Sequence, residues 1–311
     1  YDKKSRSSIS DLVEGNVFIQ TFAIFSITSH DPLNYANLQI NYLRKLLNEY
    51  RELSKIYKGS LLKLESNNKI YIISAFENAS SFCNESEDLN VGLTRLKNYL
   101  VEFAPILYIS LTWGEENRFG GGDKTSVGLK EDGKVLLEYM SQNDIPVDLS
   151  HTSDQLAEDI INYIDKRNIS MNFLASHSNF RSITNVKRNL RDDIALEIVK
   201  RGGIIGISPI HEFLGGTSIN NYIEHLNYGK ELVGIDGLAI GSDFHCEDYL
   251  DLENLAPHDC PMFMYDLDYP SKYPKFMKVL SNDFKFSFED LDKLSYKNAY
   301  KFLRRISDGQ I

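Results

Sequence analysis

Ile145-Pro-Val-Asp-Leu-Ser-His151 and, one helix later, Asn172-Phe-Leu-Ala-Ser-His177-Ser178 are the stretches on which the reading of this chain turns. Each is a short apolar run ending on Ser-His. Each therefore reads as a buried strand that presents an imidazole at its carboxyl end, where a parallel barrel keeps its chemistry. The two histidines are 26 residues apart, the length of one β-helix-β unit. That spacing sets them side by side on neighbouring parallel strands, the geometry of a metal pair.

Outward from this unit the alternation continues. Strands are expected at Val17 to Ser26, too apolar on both faces for an exposed sheet, and at Ile70 to Phe76, Ile106 to Thr112, Gly203 to Ser208 and Leu238 to Asp243. A helix is expected from Pro32 to Tyr57, with Leu38, Tyr42, Leu46 and Tyr50 near helical spacing. Others are expected at Leu89 to Phe103, Asp132 to Asn143, Ser153 to Lys166, Asp192 to Arg201 and Ile219 to Val233, with a helical tail closing at Phe288 to Arg304. The order implies an α/β fold with a parallel sheet, a TIM-like (β/α)8 barrel filling residues 1–311 as one domain. Only seven strands are found where closure needs eight. Since Tyr1 to Ser8 reads as a polar loop, the first strand is expected upstream of residue 1.

Composition narrows the class. At 311 residues, 42% hydrophobic and 25% charged, the chain can bury a full core. Its net charge of -10 argues against a nucleic-acid partner, which would want clustered Lys and Arg. Cys83, Cys246 and Cys260 are few, odd in number and without zinc-type pairing, which favours a reducing compartment and a cytoplasmic location. The abrupt start leaves a leader open. No stretch has the length of a membrane span.

Four strands end on or beside a polar residue: Glu77, His151, His177 and Asp243. A carboxylate with two imidazoles suits zinc or a similar borderline ion, and a second carboxylate beside them can move protons. Blander readings stand next to these. A strand-end histidine can be a cap partner or a satisfied buried polar group. Glu77 can cap the turn at Asn78-Ala-Ser-Ser, Asp243 can be an ordinary N-cap, and Lys187-Arg188-Asn189 can be a solvated basic patch. His30, His211, His225 and His258 read as surface or loop residues. Gly120 to Gly122 lacks the Lys-Ser/Thr of a phosphate loop in the required spacing.

Taken together, Val147-Asp-Leu-Ser-His151, Ala175-Ser-His-Ser178, Arg188-Asn189 and Gly241-Ser-Asp-Phe244 resemble, in order and spacing, the membrane dipeptidase family of renal dipeptidase-like zinc peptidases. The likeness runs from about Asp11 to the final helix. The resemblance implies a barrel with two zinc ions bridged by one carboxylate and one water or hydroxide. It makes Glu77 the bridging carboxylate, with His151 and His177 completing one metal site. Asp243 would be the acid/base, Arg188 would bind the free carboxylate of a dipeptide, and Trp113 would stand where better-known members place a substrate-contacting histidine.

Three departures accompany the likeness. The His-x-Asp pair that supplies the family's second metal is absent, since Ser29-His30-Asp31 follows the Val17 strand with the wrong spacing; that second site is incomplete and its ligands are expected upstream. Leu111-Thr-Trp113, followed by Glu116-Asn117, looks like a bacterial subgroup. His245 stands where an aspartate is usual and is expected to add a third imidazole near the metals. The leading expectation is a zinc metallo-dipeptidase. A catalytically silent barrel used as a binding or structural module is the second, and another amidohydrolase-like enzyme, such as a lactonase or phosphotriesterase, is the third. A homodimer is left open.

Overall fold

Ile70-Tyr-Ile-Ile-Ser-Ala-Phe-Glu77 is buried at all eight positions, the pattern of a strand covered on both faces. In the computed structural model, which describes residues 5–58, 69–245 and 261–308, the strands take their order from it. Cys246, His258 and Cys260 lie outside the described residues. The chain divides into two compact units. One comprises Ile19–Ala175, Arg201–Gly203 and Phe302–Ile311, the other Tyr1–Phe18, Ser176–Lys200 and Ile204–Lys301.

The first unit contains β1 (Ile19–Phe25), α2 (Pro32–Glu49), β2 (Ser54–Ile56), β3 (Ile70–Glu77), α3 (Leu89–Phe103), β4 (Ile106–Ser110), α4 (Glu131–Gln142), β5 (Val147–Asp148), α5 (Asp154–Arg167) and β6 (Phe173–Leu174). All its strand pairs are parallel, in the order β1-β3-β4-β5-β6. β1 follows one edge of β3 from Tyr71 to Glu77, while β2 takes Ile70 to Ile72 and β4 takes over from Ser74 on the other. Burial is deepest at β3; in β1 only Ile24 is fully buried. α3 packs on β3 through Phe76 and Tyr99, whose ring centroids are 4.8 Å apart. α5 starts cleanly after His151, because Ser153 Oγ accepts from the Leu156 amide at 2.9 Å, and it stops at Asn168 in the left-handed conformation (φ 51°).

The second unit contains α1 (Ile9–Glu14), α6 (Asp192–Lys200), β7 (Ile205–Ile207), α7 (His211–Leu214), α8 (Ile219–Leu232), β8 (Leu238–Ile240), α9 (Tyr273–Asn282) and α10 (Phe288–Asp292), with α11 (Asn298–Asp308) grouped here as far as Lys301. β7 and β8 pair in parallel, Ile205 opposite Leu238. The Ser176 carbonyl is clamped between two glycines. A Cβ at either Gly206 or Gly241 would lie 2.2 Å from that oxygen, so only glycine fits.

All seven expected strands form, each within two or three residues of its expected ends. Three expectations need correction. The helix from Pro32 stops at Glu49, because Ser54–Ile56 is drawn into strand pairing with Ile70 to Ile72 and Tyr57 is buried beyond it. Its inward face carries Ala36, Leu43 and Leu46, while Leu38 and Tyr42 are exposed. The closing helix is interrupted by a wider π-helical turn at Lys293–Lys297, next to buried Asn298, whose amide donates to the Ile235 and Leu238 carbonyls at 2.7 and 2.8 Å. No helix among the described residues is long and apolar enough to cross a membrane.

Candidate active site

In the first unit the site is built where β3, β4 and β5 end. Glu77 is the last residue of β3 and is buried. It does not cap the following turn. Asn78 does so, its Oδ1 accepting from the Ser80 amide at 3.1 Å. Asn78 sits at φ 78°, a conformation rare for a side-chain-bearing residue, held by donation to the Ser26 carbonyl and Thr28 hydroxyl at 2.8 and 3.0 Å. Buried Asn117 donates to Asn78 Oδ1 at 3.0 Å and to the Leu111 carbonyl at 2.7 Å, and its own Oδ1 accepts from the amides of Phe119 and Gly120. One asparagine thus fixes both the turn after Glu77 and the start of the glycine loop.

His151, three residues past β5, is buried and also has positive φ (65°). Its Nε2 lies 3.1 Å from Glu77 Oε1 and its Nδ1 lies 3.1 Å from Asp123 Oδ1. A neutral imidazole has one N–H, so it can donate to only one of these carboxylates; the other contact calls for a proton or a cation. Trp113 lies beside the ring, 5.9 Å between centroids, and carries Lys124 Nζ 5.0 Å over its own face.

In the second unit His177 is buried, with Nδ1 2.7 Å from Ser176 Oγ and Nε2 3.8 Å from Asp243 Oδ2. Asp243, three residues past β8, is a third residue with positive φ (53°). Arg188 is buried, which rules out the solvated patch. Its guanidinium donates to the His177 carbonyl at 2.7 Å and Ser178 Oγ at 3.0 Å, lies over the Phe213 ring, and leaves Nε without a partner. It makes no ion pair with the described residues of this unit. The loop carrying Arg188 rests on His225, which is fully buried and not the surface residue expected: Nδ1 accepts from the Phe180 amide at 3.2 Å and Nε2 faces Thr184 Oγ1 at 3.2 Å. Burial pushes this imidazole down to about 4.

His245 does not behave as a third imidazole ligand within its unit. Its Nδ1 donates to the Asp243 carbonyl at 2.7 Å and its Nε2 faces the Met262 sulfur at 3.0 Å. His30 is exposed and bonded to Ser29, as a surface residue should be. The N-cap reading of Asp243 concerns residues outside those described. Asp123, Asn78 and Asn117 were not foreseen as site residues. The only signal for Asp123 was its place directly after the glycine run.

The residues of the first unit suit a divalent ion. Two ligand atoms bonded to one such ion at about 2.0–2.2 Å are roughly 3.0–3.5 Å apart. The 3.1 Å between Glu77 Oε1 and His151 Nε2 falls in that range. Parallel strands alternating with helices, with Glu77 ending β3 and His151 and Asp243 just past the ends of β5 and β8, belong to the TIM-like α/β class of fold. The chain belongs to the membrane dipeptidase family (peptidase family M19), whose family model matches residues 2–310. It is 24% identical over 258 residues to Dipeptidase 3 of Mus musculus, covering 77% of this chain and 49% of the relative. It is 25% identical over 188 residues to an uncharacterized protein in the pqqA 5' region of Klebsiella pneumoniae, covering 56% of this chain and 64% of that one. The chain therefore spans about half to under two thirds of the length of these curated relatives. A metallo peptidase from Rhodobacter sphaeroides, crystallised with a phosphinate mimic of the dipeptide L-Ala-D-Ala, has the same fold, with a TM-score of 0.80, 18% identity, and coverage of 98% of this chain and 91% of that one.

Proposed function

We propose that the protein is a zinc-dependent dipeptidase that hydrolyses dipeptides with a free C-terminal carboxylate. The observation that carries this reading is the buried Glu77–His151 contact, spaced for a shared ion. His177 is the proposed third ligand; all three residues are buried and each offers one ligand atom. A second zinc ion would complete the proposed complement, with Glu77 among the residues that would hold it. When bound, the metal supplies Lewis acidity, polarising the scissile carbonyl and making water a better nucleophile at neutral pH.

The chain's own groups do the rest. Asp243, a carboxylate near His177 Nε2, takes a proton from the attacking water and returns it to the departing amine. Arg188 offers its unpartnered Nε and remaining N–H groups to the dipeptide carboxylate, and a buried cation that pairs with no carboxylate among the described residues of its unit gains most from one supplied by the substrate. Trp113 forms a flat apolar wall next to His151 against which a substrate side chain can lie. A carboxylate-binding arginine favours peptides over lactones or phosphotriesters. The low cysteine count, with Cys83 free and buried, supports a cytoplasmic site of action. We read residues 1–311 as a single catalytic domain. Light scattering decides whether it forms a homodimer.

Zinc analysis of His151→Ala and His177→Ala tests the reading. Each should lose at least one equivalent of zinc and nearly all dipeptide hydrolysis, because three protein ligands are the usual minimum of a catalytic site. Full zinc content in both variants would refute it.

A further inference from the structure

Asp123 stands behind His151 on the side away from Glu77, and nothing in the proposed chemistry uses it. Its carboxylate meets His151 Nδ1 at 3.1 Å, and its backbone amide donates to the His151 carbonyl at 3.0 Å. The same carbonyl accepts from Thr112 Oγ1 at 3.2 Å. The histidine is therefore gripped at ring and backbone, in a left-handed conformation that an unrestrained residue would avoid.

The loop that carries Asp123 is itself held in place. The Gly122 amide donates to the Glu115 carbonyl at 2.9 Å and the Lys124 amide to the Gly114 carbonyl at 3.0 Å. Gly121 and Gly122 also form antiparallel bridges with Glu116 and Thr152. No side chain fits at Gly122, where a Cβ would run into the Trp113 carbonyl. The glycine run that fails as a phosphate loop thus has a purpose: it lets the loop lie flat on the chain before it and point one carboxylate at one ring nitrogen.

We infer that Asp123 is a positioning residue that holds the Nδ1–H of His151 and so turns the Nε2 lone pair toward the metal. The inference rests on the reading of His151 as a metal ligand. A carboxylate at the rear nitrogen fixes the tautomer, fixes the ring plane and makes the ligating nitrogen a better donor. Removing it leaves the ligand count unchanged and weakens each of these effects.

The test uses the full chain with Asp123→Ala, Asp123→Asn and His151→Ala, titrated with zinc against a chromogenic chelator. Asp123→Ala should bind zinc roughly 10–100-fold more weakly at unchanged saturating stoichiometry, the usual effect of deleting such a partner. Asp123→Asn, whose amide oxygen still accepts from Nδ1, should keep most of the affinity and serves as the folded control. In the zinc-loaded wild type, the His151 Nδ1–H should give a slowly exchanging proton resonance coupled to nitrogen. That resonance should vanish in Asp123→Ala and persist in Asp123→Asn. Wild-type affinity and an intact resonance in Asp123→Ala, with zinc lost in His151→Ala, would overturn the inference alone. Undiminished zinc binding in His151→Ala would overturn it together with the reading beneath it.

Discussion

Arg188 is the residue whose surroundings say most about substrate. A guanidinium this buried, with a bare Nε, is costly unless something anionic arrives. Arg188→Ala should therefore impair hydrolysis of a dipeptide far more than of the matching dipeptide amide, by roughly 2–5 kcal/mol in kcat/KM, since only the acid loses a charge-assisted pair. Equal losses on both substrates would remove Arg188 from the substrate site. His225 makes a different prediction. Its folded value of about 4 lies below the ordinary 6.5, so between these pH values the unfolded chain binds a proton that the folded chain does not. Its contribution is complete above pH 6.5 and is lost as the pH falls toward 4. Urea unfolding of the wild type should become shallower in its pH dependence when His225→Asn is introduced, by up to about 1.4 kcal/mol per pH unit. Parallel stability curves would mean that the imidazole is already charged in the fold.

At the scale of elements, the strand ends carry the proposed site, and their placement depends on close backbone packing. Gly206→Ala puts a methyl group 2.2 Å from the Ser176 carbonyl, one residue before His177. It should cost about 1–3 kcal/mol in thermal or denaturant unfolding and lower zinc occupancy as well. A variant with unchanged stability would show that β7 can shift freely. The elements that were legible in the sequence are those with strong apolar runs. β3 to β6 were placed to within a few residues, and the candidate ligands named were Glu77, the last residue of β3, and His151 and His177, each three residues past β5 and β6. β2 was not legible, because Ser54-Lys-Ile56 becomes a strand only through pairing with Ile70 to Ile72, a contact no local pattern announces. Asp123 and Asn117 were missed as site residues for a related reason. They act from a loop, where position comes from hydrogen bonds between residues distant in sequence, such as Asn117 to Asn78, and leaves no periodicity to read.

At the scale of the whole molecule, the sharing of β3 bears on the order in which the protein comes into being. β1, β2 and β3 are consecutive in the chain, so their mutual pairing needs no residue beyond Glu77, and β4 completes the second edge by Ser110. We predict that ribosome-bound chains arrested some 40 residues after Ser110, enough to clear the exit tunnel, already protect β3 from protease, in keeping with the N-terminal-first folding of growing chains. Cleavage within β3 at that length, as fast as in denaturant, would refute this. The carboxylate of Glu77 is then in place while His151, His177 and Asp243 have still to be translated. Of the three proposed ligands, metal arriving during synthesis would find Glu77 alone, so loading of that site should follow the translation of His151 and His177.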